Sequence, residues 1–180
     1  MSEELSVNNS RLRNIILIAA ACVALAAIGG FMIYSSICPC DRTPGGFLFG
    51  DRAEEPVTDW NFANDVPLCQ LQIYAGIRPH AINLNCMSTP EGELYLSCSV
   101  CESKYWAGKV GEDEYGIMRL NGTTYPVRVN RETEPAAMDR AWAARVNKLQ
   151  THGGGQFNPT PDPDVQRPGH WWTFRITSDT

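Results

Sequence analysis

The residues from Ile15 to Ile37 form an apolar run without a single charged side chain. At about 1.5 Å of rise per residue, a helix over this run covers the hydrocarbon core of a bilayer, which is about 30 Å thick. A buried helix of a soluble protein rarely lacks charge over such a length. We therefore predict a single transmembrane helix over residues 15–37, in contact with membrane lipid.

A cleaved signal peptide is the main alternative for this run. Ala24-Leu25-Ala26 matches the small-x-small pattern that precedes a cleavage site, and an apolar region lies before it. The apolar run nevertheless continues through Phe31 and Ile33, which a cleaved peptide does not require. The pattern favours a retained anchor.

The arginines near the run indicate its orientation. Arg11 and Arg13 precede it, and Arg42 alone follows closely. Because positive charge is enriched on the cytoplasmic side, we expect residues 1–14 to be cytoplasmic. The rest of the chain would then lie on the periplasmic or other extracytoplasmic side of the cytoplasmic (inner) membrane.

The chain after the run contains one folded domain and the linker that leads to it. Residues 38–58 are rich in turn-forming residues and indicate a linker, which leaves residues 59–180 for a single soluble domain. With 43% hydrophobic residues, the chain can form a core. The net charge is -5, and no basic stripe is present, so nucleic acid is not an expected partner.

Cysteine is frequent for a chain of this size. Cys22 lies within the apolar run and is expected to be a small apolar residue there. The other six cysteines permit three disulfides in an oxidising compartment, with fifteen connectivities. Half of a zinc site at Cys98 and Cys101, or a thioredoxin-like redox pair there, is a less favoured alternative. The six cysteines are Cys38, Cys40, Cys69, Cys86, Cys98 and Cys101.

Alternating apolar residues and turn signals predict a mainly β domain of class α+β, with a small barrel-like sheet and one main helix. Asn121-Gly122 is a strong hairpin signal, and Pro126 in the next strand indicates an edge position or a bulge. Ser103 is expected to cap a short helix over 103–110. The predicted strands cover 69–74, 81–87, 93–100, 115–120, 123–129 and 170–177, and the main helix covers 134–150.

The order and spacing of several short motifs resemble the split β-barrel flavin-binding superfamily, which includes pyridoxamine-phosphate oxidase-like and deazaflavin-dependent nitroreductase-like proteins. The resemblance covers residues 59–149 and the closing strand near Trp171. The motifs are Arg78-Pro-His80, Leu94-Tyr-Leu-Ser97, Ser103-Lys104 and Arg119-Leu-Asn-Gly122.

The resemblance implies a bound flavin, FMN in preference to a deazaflavin. Its phosphate would be held at a strand end and at the helix that follows, where hydroxyl groups, a cation and the positive end of a helix dipole meet. Trp106 would border the ring system. The phosphate-binding positions implied are Arg78, His80, Ser97, Ser99, Ser103 and Lys104.

Two functions are compatible with the resemblance. The first is a membrane-anchored oxidoreductase that acts on a small or membrane-borne acceptor such as a quinone, with the flavin carrying the redox chemistry. The second is a cofactor-free accessory or assembly subunit of a membrane complex, in which Trp171 and Trp172 contact partner proteins. A homodimer is a further expected assembly.

Overall fold

The computed structural model describes residues 2–76, 78–156 and 158–179, and for residues 2–10 and Ser36 it describes the backbone alone. Met1, Ile77, Phe157 and Thr180, which fall in the predicted N-terminal segment and domain, lie outside the described residues.

The N-terminal apolar run lies in a long helix, α1, from Ser2 to Ile37. Its stretch from Arg11 to Ser35 is 25 residues long and leaves its apolar side chains uncovered. By length and composition this stretch can cross a membrane. The helix begins well before the predicted span and ends at the predicted residue.

Six antiparallel strands close into a barrel. Their neighbour order is β6-β5-β2-β3-β4-β7, and β7 pairs back to β6 from Val127↔Ser178 to Glu132↔Thr173. Closure leaves the barrel strands without an open edge. A two-residue strand, β1 (Asp51–Arg52), pairs in parallel with β6 outside the ring. The barrel strands are β2 (Cys69–Ala75), β3 (Arg78–Ser88), β4 (Leu94–Cys98), β5 (Glu114–Leu120), β6 (Thr123–Glu132) and β7 (Trp172–Ser178).

The barrel interior is filled by side chains that alternate along the strands. In β2, Leu71 and Ile73 are fully buried, whereas Gln70 and Gln72 form hydrogen bonds with groups on the barrel's outer face. Leu96, Met118 and Phe174 fill the interior from other strands. The predicted α+β class with a small barrel is confirmed.

The β5–β6 hairpin turns at the predicted position. Asn121 and Gly122 have φ values of +47° and +86°, and two successive positive φ values define the type I′ geometry that Asn-Gly favours. Pro126 pairs with Ile117 of β5 and lies just beyond the end of the β6–β7 pairing. Its missing N–H therefore interrupts no hydrogen bond of the β6–β7 ladder, and the proline lies where that pairing ends and not on an open edge of the sheet.

The main helix, α2, runs from Pro135 to His152 and packs on the outside of β3 and β4. The Glu134 carboxylate accepts hydrogen bonds from the backbone N–H groups of Ala136 and Ala137, which caps the helix N-terminus. Ala141, Val146 and Leu149 are buried apolar residues along one side of this helix. Two cationic side chains of α2, Arg145 and Lys148, are also buried, and the sequence pattern did not predict this.

The predicted helix over 103–110 is wrong. The segment forms two three-residue 3-10 turns, Cys101–Ser103 and Ala107–Lys109. The Ser103 hydroxyl donates a hydrogen bond to the Val100 carbonyl (3.0 Å), so it caps no helix N-terminus. The prediction failed because a segment of eight residues that includes a glycine, Gly108, has little intrinsic helical stability, and side-chain packing decides its conformation.

Two disulfides are present among the described residues, Cys38–Cys40 and Cys98–Cys101. Cys22 is exposed on α1, and the thiols of Cys69 and Cys86 are free and buried. Two of the three bonds that the cysteine count permits are therefore formed.

The chain between α1 and β1 lies across the barrel. We call residues 38–50 the strap. Gly45 pairs with Ala81 of β3, and the Leu48 N–H donates to the Gln72 side chain at 2.7 Å. Arg119 then donates to the Phe49 carbonyl at 2.8 Å. The predicted linker is thus hydrogen-bonded to three barrel strands in turn.

The strap also contacts the end of α1. The Tyr34 hydroxyl donates to the Pro44 carbonyl at 2.6 Å, and Ser35 is buried. Gly45 lies so close to the backbone at Cys38 and Pro39 that a Cβ atom would overlap it. These contacts hold the barrel against the end of the apolar helix.

Candidate functional site

Tyr105 is the centre of a cationic cluster at one end of the barrel. It lies between the two 3-10 turns, and its side chain is 51% exposed. The guanidinium carbon of Arg78 lies 5.8 Å from the ring centroid, and the Lys109 ammonium lies 5.6 Å from it. Both distances are within the range of a cation–π contact.

His80, the third residue of β3, completes this cluster. Its ring packs edge-on against Tyr105, with centroids 5.4 Å apart. Burial, and secondarily the charge of Arg78, lowers the pKa of His80 from its ordinary value. The imidazole is therefore neutral at pH 7 and can offer one N–H donor without adding charge.

The cations of this cluster have no carboxylate partner. Among the ion pairs formed within residues 11–179, none includes Arg78, Lys104 or Lys109. A guanidinium and an ammonium therefore lie on the same aromatic ring at this end of the barrel, and neither forms an ion pair among the described residues. Such a surface can bind an anion such as phosphate through charge-assisted hydrogen bonds.

The structure brings together only part of the predicted phosphate site. Arg78 and His80 meet at Tyr105. Ser103 and Lys104 are exposed immediately before Tyr105 in the chain. Because no α-helix begins there, these two residues lack the helix dipole that the prediction relied on.

The remaining predicted residues lie elsewhere. Ser97 accepts a hydrogen bond from Arg145 Nε (3.0 Å) beneath α2, and Ser99 is half-buried just after β4. Trp106 is 4% exposed, and its ring packs 5.0 Å from that of Phe174 in the barrel core. Trp106 is therefore part of the barrel core, and its place beside a ring system stays a prediction.

Sequence reasoning missed Tyr105 and Lys109 as candidate site residues. The signal was present, because the segment from Ser103 to Lys109 places an aromatic pair between two lysines. Tyr105 and Lys109 are four residues apart, so the predicted helix would also have placed them side by side on one face. In the structure Lys109 lies against the ring of Tyr105 through the compact turns.

A second group of side chains surrounds Arg145. Its guanidinium lies 4.6 Å from the Trp171 ring centroid and 5.4 Å from that of Trp142. Burial lowers the pKa of Arg145 to about 10, so it is still a cation at neutral pH. Trp171 is held in this stack, and Trp172 lies beneath Arg131, 3.5 Å from its guanidinium carbon. Both tryptophans are half-buried in these stacks, and their contact with a partner protein stays a prediction.

The fold and these contacts define a class of protein: a small six-stranded antiparallel barrel of class α+β, attached to a helix able to cross a membrane, with Arg78, His80 and Lys109 gathered around Tyr105 at one end. No family model and no curated protein matches the chain. Among solved structures, a candidate pyridoxamine 5′-phosphate oxidase from Listeria innocua is similar, with 11% identity and a TM-score of 0.41 over 66% of this chain and 89% of that one. A likeness this distant says nothing about function.

Proposed function

We propose that this protein is a membrane-anchored, flavin-binding split-barrel protein, with FMN preferred over a deazaflavin. Its role would be that of an oxidoreductase toward a small or membrane-borne acceptor such as a quinone. The observation that carries the proposal is the pair of unpaired cations, Arg78 and Lys109, on the exposed ring of Tyr105. A phosphate and an attached planar ring system suit this combination of charge and aromatic surface.

The residues present fit the phosphate end of FMN. Arg78 and Lys109 supply charge, the Ser103 hydroxyl and Lys104 are adjacent in the chain, and His80 supplies a neutral donor. Tyr105 supplies an aromatic face for the ring. A bound flavin would supply the one- or two-electron chemistry, and the protein would bind and orient it.

The side of the membrane is part of the proposal. The excess of arginine before the apolar run of residues 15–37 supports a barrel outside the cytoplasm. After mild reduction, a membrane-impermeant thiol reagent applied to intact cells should then label Cys38 and Cys40 in the strap. Labelling of these residues only after lysis would place the barrel in the cytoplasm.

Equilibrium titration with FMN tests the proposed site. The full-length protein in detergent should quench FMN fluorescence, and the double variant Arg78→Gln/Lys109→Gln should bind FMN about 100-fold more weakly. The reason is that each lost charge-assisted bond weakens binding by about 1.5 kcal/mol. Arg52→Gln, an exposed arginine in β1, is the matched control and should change nothing.

Riboflavin, which lacks the phosphate, separates the two halves of the site. The wild type and the double variant should bind riboflavin equally, because Tyr105 is unchanged in both. Equal FMN affinity in the wild type and the double variant would show that the cluster does not bind the phosphate. Failure of the wild type to bind FMN would reject the proposed function.

A cofactor-free accessory subunit is the second candidate, and one observation favours it. The strap holds the barrel against the end of α1 and leaves Phe47 and Phe49 42% and 58% exposed beside it. Aromatic side chains next to an anchor suit contacts with another membrane subunit or with a second copy of this chain. Under this candidate, Phe47→Ser/Phe49→Ser would abolish co-purification of the partner, and no flavin would be bound.

A further inference from the structure

Cys69 and Cys86 lie together in the core near the end of the barrel opposite Tyr105. Each side chain is fully buried, and both belong to the same core cluster. Cys69 begins β2 and pairs with Leu84 of β3, so Cys86 is its diagonal neighbour. The Cys69 thiol donates to the Leu84 carbonyl at 3.5 Å, two residues before Cys86 in β3.

Lys148 of α2 reaches this pair from outside the barrel. Its ammonium donates hydrogen bonds to the carbonyl oxygens of Ala63 (2.7 Å) and Cys86 (2.6 Å), and it lies 3.8 Å from the Cys86 sulfur. The Lys148 side chain is only 4% exposed. A buried ammonium requires a counter-charge, and no carboxylate forms an ion pair with it among the described residues. The adjacent Cys86 sulfur can supply that charge as a thiolate.

The two thiols consequently differ. Burial on its own would raise the pKa of Cys86. The neighbouring Cys69 thiol and the positive charge of Lys148 outweigh burial, so the pKa of Cys86 is lowered. Burial raises the pKa of Cys69. Cys86 therefore has the character of an attacking thiolate, and Cys69 that of a protonated second thiol.

A groove of about 850 Å³ lies between α2, residues 61–65 and the β3–β4 turn, and Lys148 lines it. His152 also lines the groove and contacts the Asn64 carbonyl at 3.0 Å. The Lys148 ammonium, which belongs to this lining, lies 3.8 Å from the Cys86 sulfur. Access of a small molecule to the buried sulfur therefore requires the Lys148 side chain to move, and this movement is part of the proposal below.

We propose that Cys69 and Cys86 form a dithiol–disulfide couple that exchanges with small disulfides entering through this groove, with Lys148 as the positioning residue for Cys86. The Cys86 thiolate attacks one sulfur of the small disulfide; a protein–small-molecule disulfide forms, and one small thiolate leaves. Cys69 then loses its proton and attacks the Cys86 sulfur, which releases the second small thiolate. The protein loses two electrons and gains one S–S bond, and the small disulfide is reduced to two thiols.

Closing the bond requires a small movement of β2. Diagonal residues on neighbouring strands lie about 7–8 Å apart, whereas a disulfide spans Cα atoms about 4.4–6.8 Å apart. Cys69 is the first residue of its strand, and Leu68 before it is exposed, so this end of β2 can approach β3. The couple is independent of the proposed flavin site, which lies at the opposite end of the barrel.

The test exposes the full-length protein in detergent to glutathione disulfide. The reaction is stopped with acid and maleimide, and the peptides are identified by mass spectrometry. The expected product is a Cys69–Cys86 cross-linked peptide. As the pH is raised, the reaction rate should level off at a pH below about 8.5, which is the pKa of an ordinary thiol. Absence of the cross-link in wild-type protein after prolonged exposure would overturn the proposal.

Single variants test the assigned order. Cys69→Ala should accumulate glutathione on Cys86, because the second thiol is missing. The matched variant Cys86→Ala should leave Cys69 unmodified over the same time, at a rate at least about tenfold lower. Equal modification in the two variants would reject the asymmetry and the role given to Lys148. Circular dichroism of both variants, recorded before glutathione disulfide is added, checks that both are folded, so that their rates can be compared.

Discussion

The Lys148 ammonium lies 2.6 Å from the carbonyl oxygen of Cys86, a contact that joins α2 to the barrel interior. The same ammonium bonds to the Ala63 carbonyl of the turn that covers this end of the barrel. One buried charge therefore links three parts of the fold, and its removal leaves buried acceptors without a donor.

Lys148→Met keeps most of the side-chain volume and removes the charge. We expect the free energy of unfolding to fall by about 3 kcal/mol, because two buried carbonyl oxygens lose their donor. Urea unfolding followed by tryptophan fluorescence measures this change. Lys104→Met, at an exposed position, is the control and should alter stability by less than about 0.5 kcal/mol. Equal stabilities for the two variants would contradict the role assigned to Lys148.

The burial of His80 predicts a pH-dependent stability. Its folded-state pKa is lowered, so the unfolded chain binds the proton more readily. The contribution of neutral His80 is complete above pH of about 6.5 and is lost as the pH falls through the folded-state pKa. We expect His80→Gln to flatten the decline in unfolding free energy across this window. His170→Gln, at an exposed site, should leave the slope of the unfolding free energy against pH unchanged. If His80→Gln has the same slope as the wild type, the pH dependence does not come from His80.

A substitution at Gly45 tests whether close packing there holds the strap on the barrel. A Cβ atom there would overlap the Cys38 carbonyl and the Pro39 nitrogen, and backbone atoms cannot give way cheaply. We expect Gly45→Ala to release the strap and to break the hydrogen bond from the Ala81 N–H to the Gly45 carbonyl (3.0 Å). The Ala81 amide should then exchange its hydrogen about tenfold faster or more. Gly155→Ala, where a Cβ meets nothing, is the control, and equal exchange in both variants would show that the strap is not held at Gly45.

Much of the barrel could be predicted from local pattern. The alternation in β2 and the Asn121-Gly122 turn each specify a strand or a hairpin through a few adjacent residues. The helix capped at Glu134 was predicted to within two residues at its C-terminal end. These features depend on the nearest few residues, which is why sequence reasoning reached them.

The candidate site could be predicted only in part, because it depends on which turn the chain makes after Cys101. The segment from Ser103 to Val110 is too short to determine its own conformation, and packing of Trp106 against Phe174 determines it. The burial of Arg145 and Lys148 likewise follows from partners distant in the chain, Ser97 and Ala63. A lysine on a helix gives no local signal of such contacts.

The absorbance spectrum of the full-length protein, purified in detergent, loaded with FMN and desalted, tests the central claim most directly. The proposal predicts retained absorbance at about 450 nm, at one flavin per barrel, or at about 420 nm if a deazaflavin is the ligand. It also predicts loss of that absorbance in Arg78→Gln/Lys109→Gln. A wild-type protein that is colourless after loading and desalting would contradict the flavin-binding function and favour the accessory subunit.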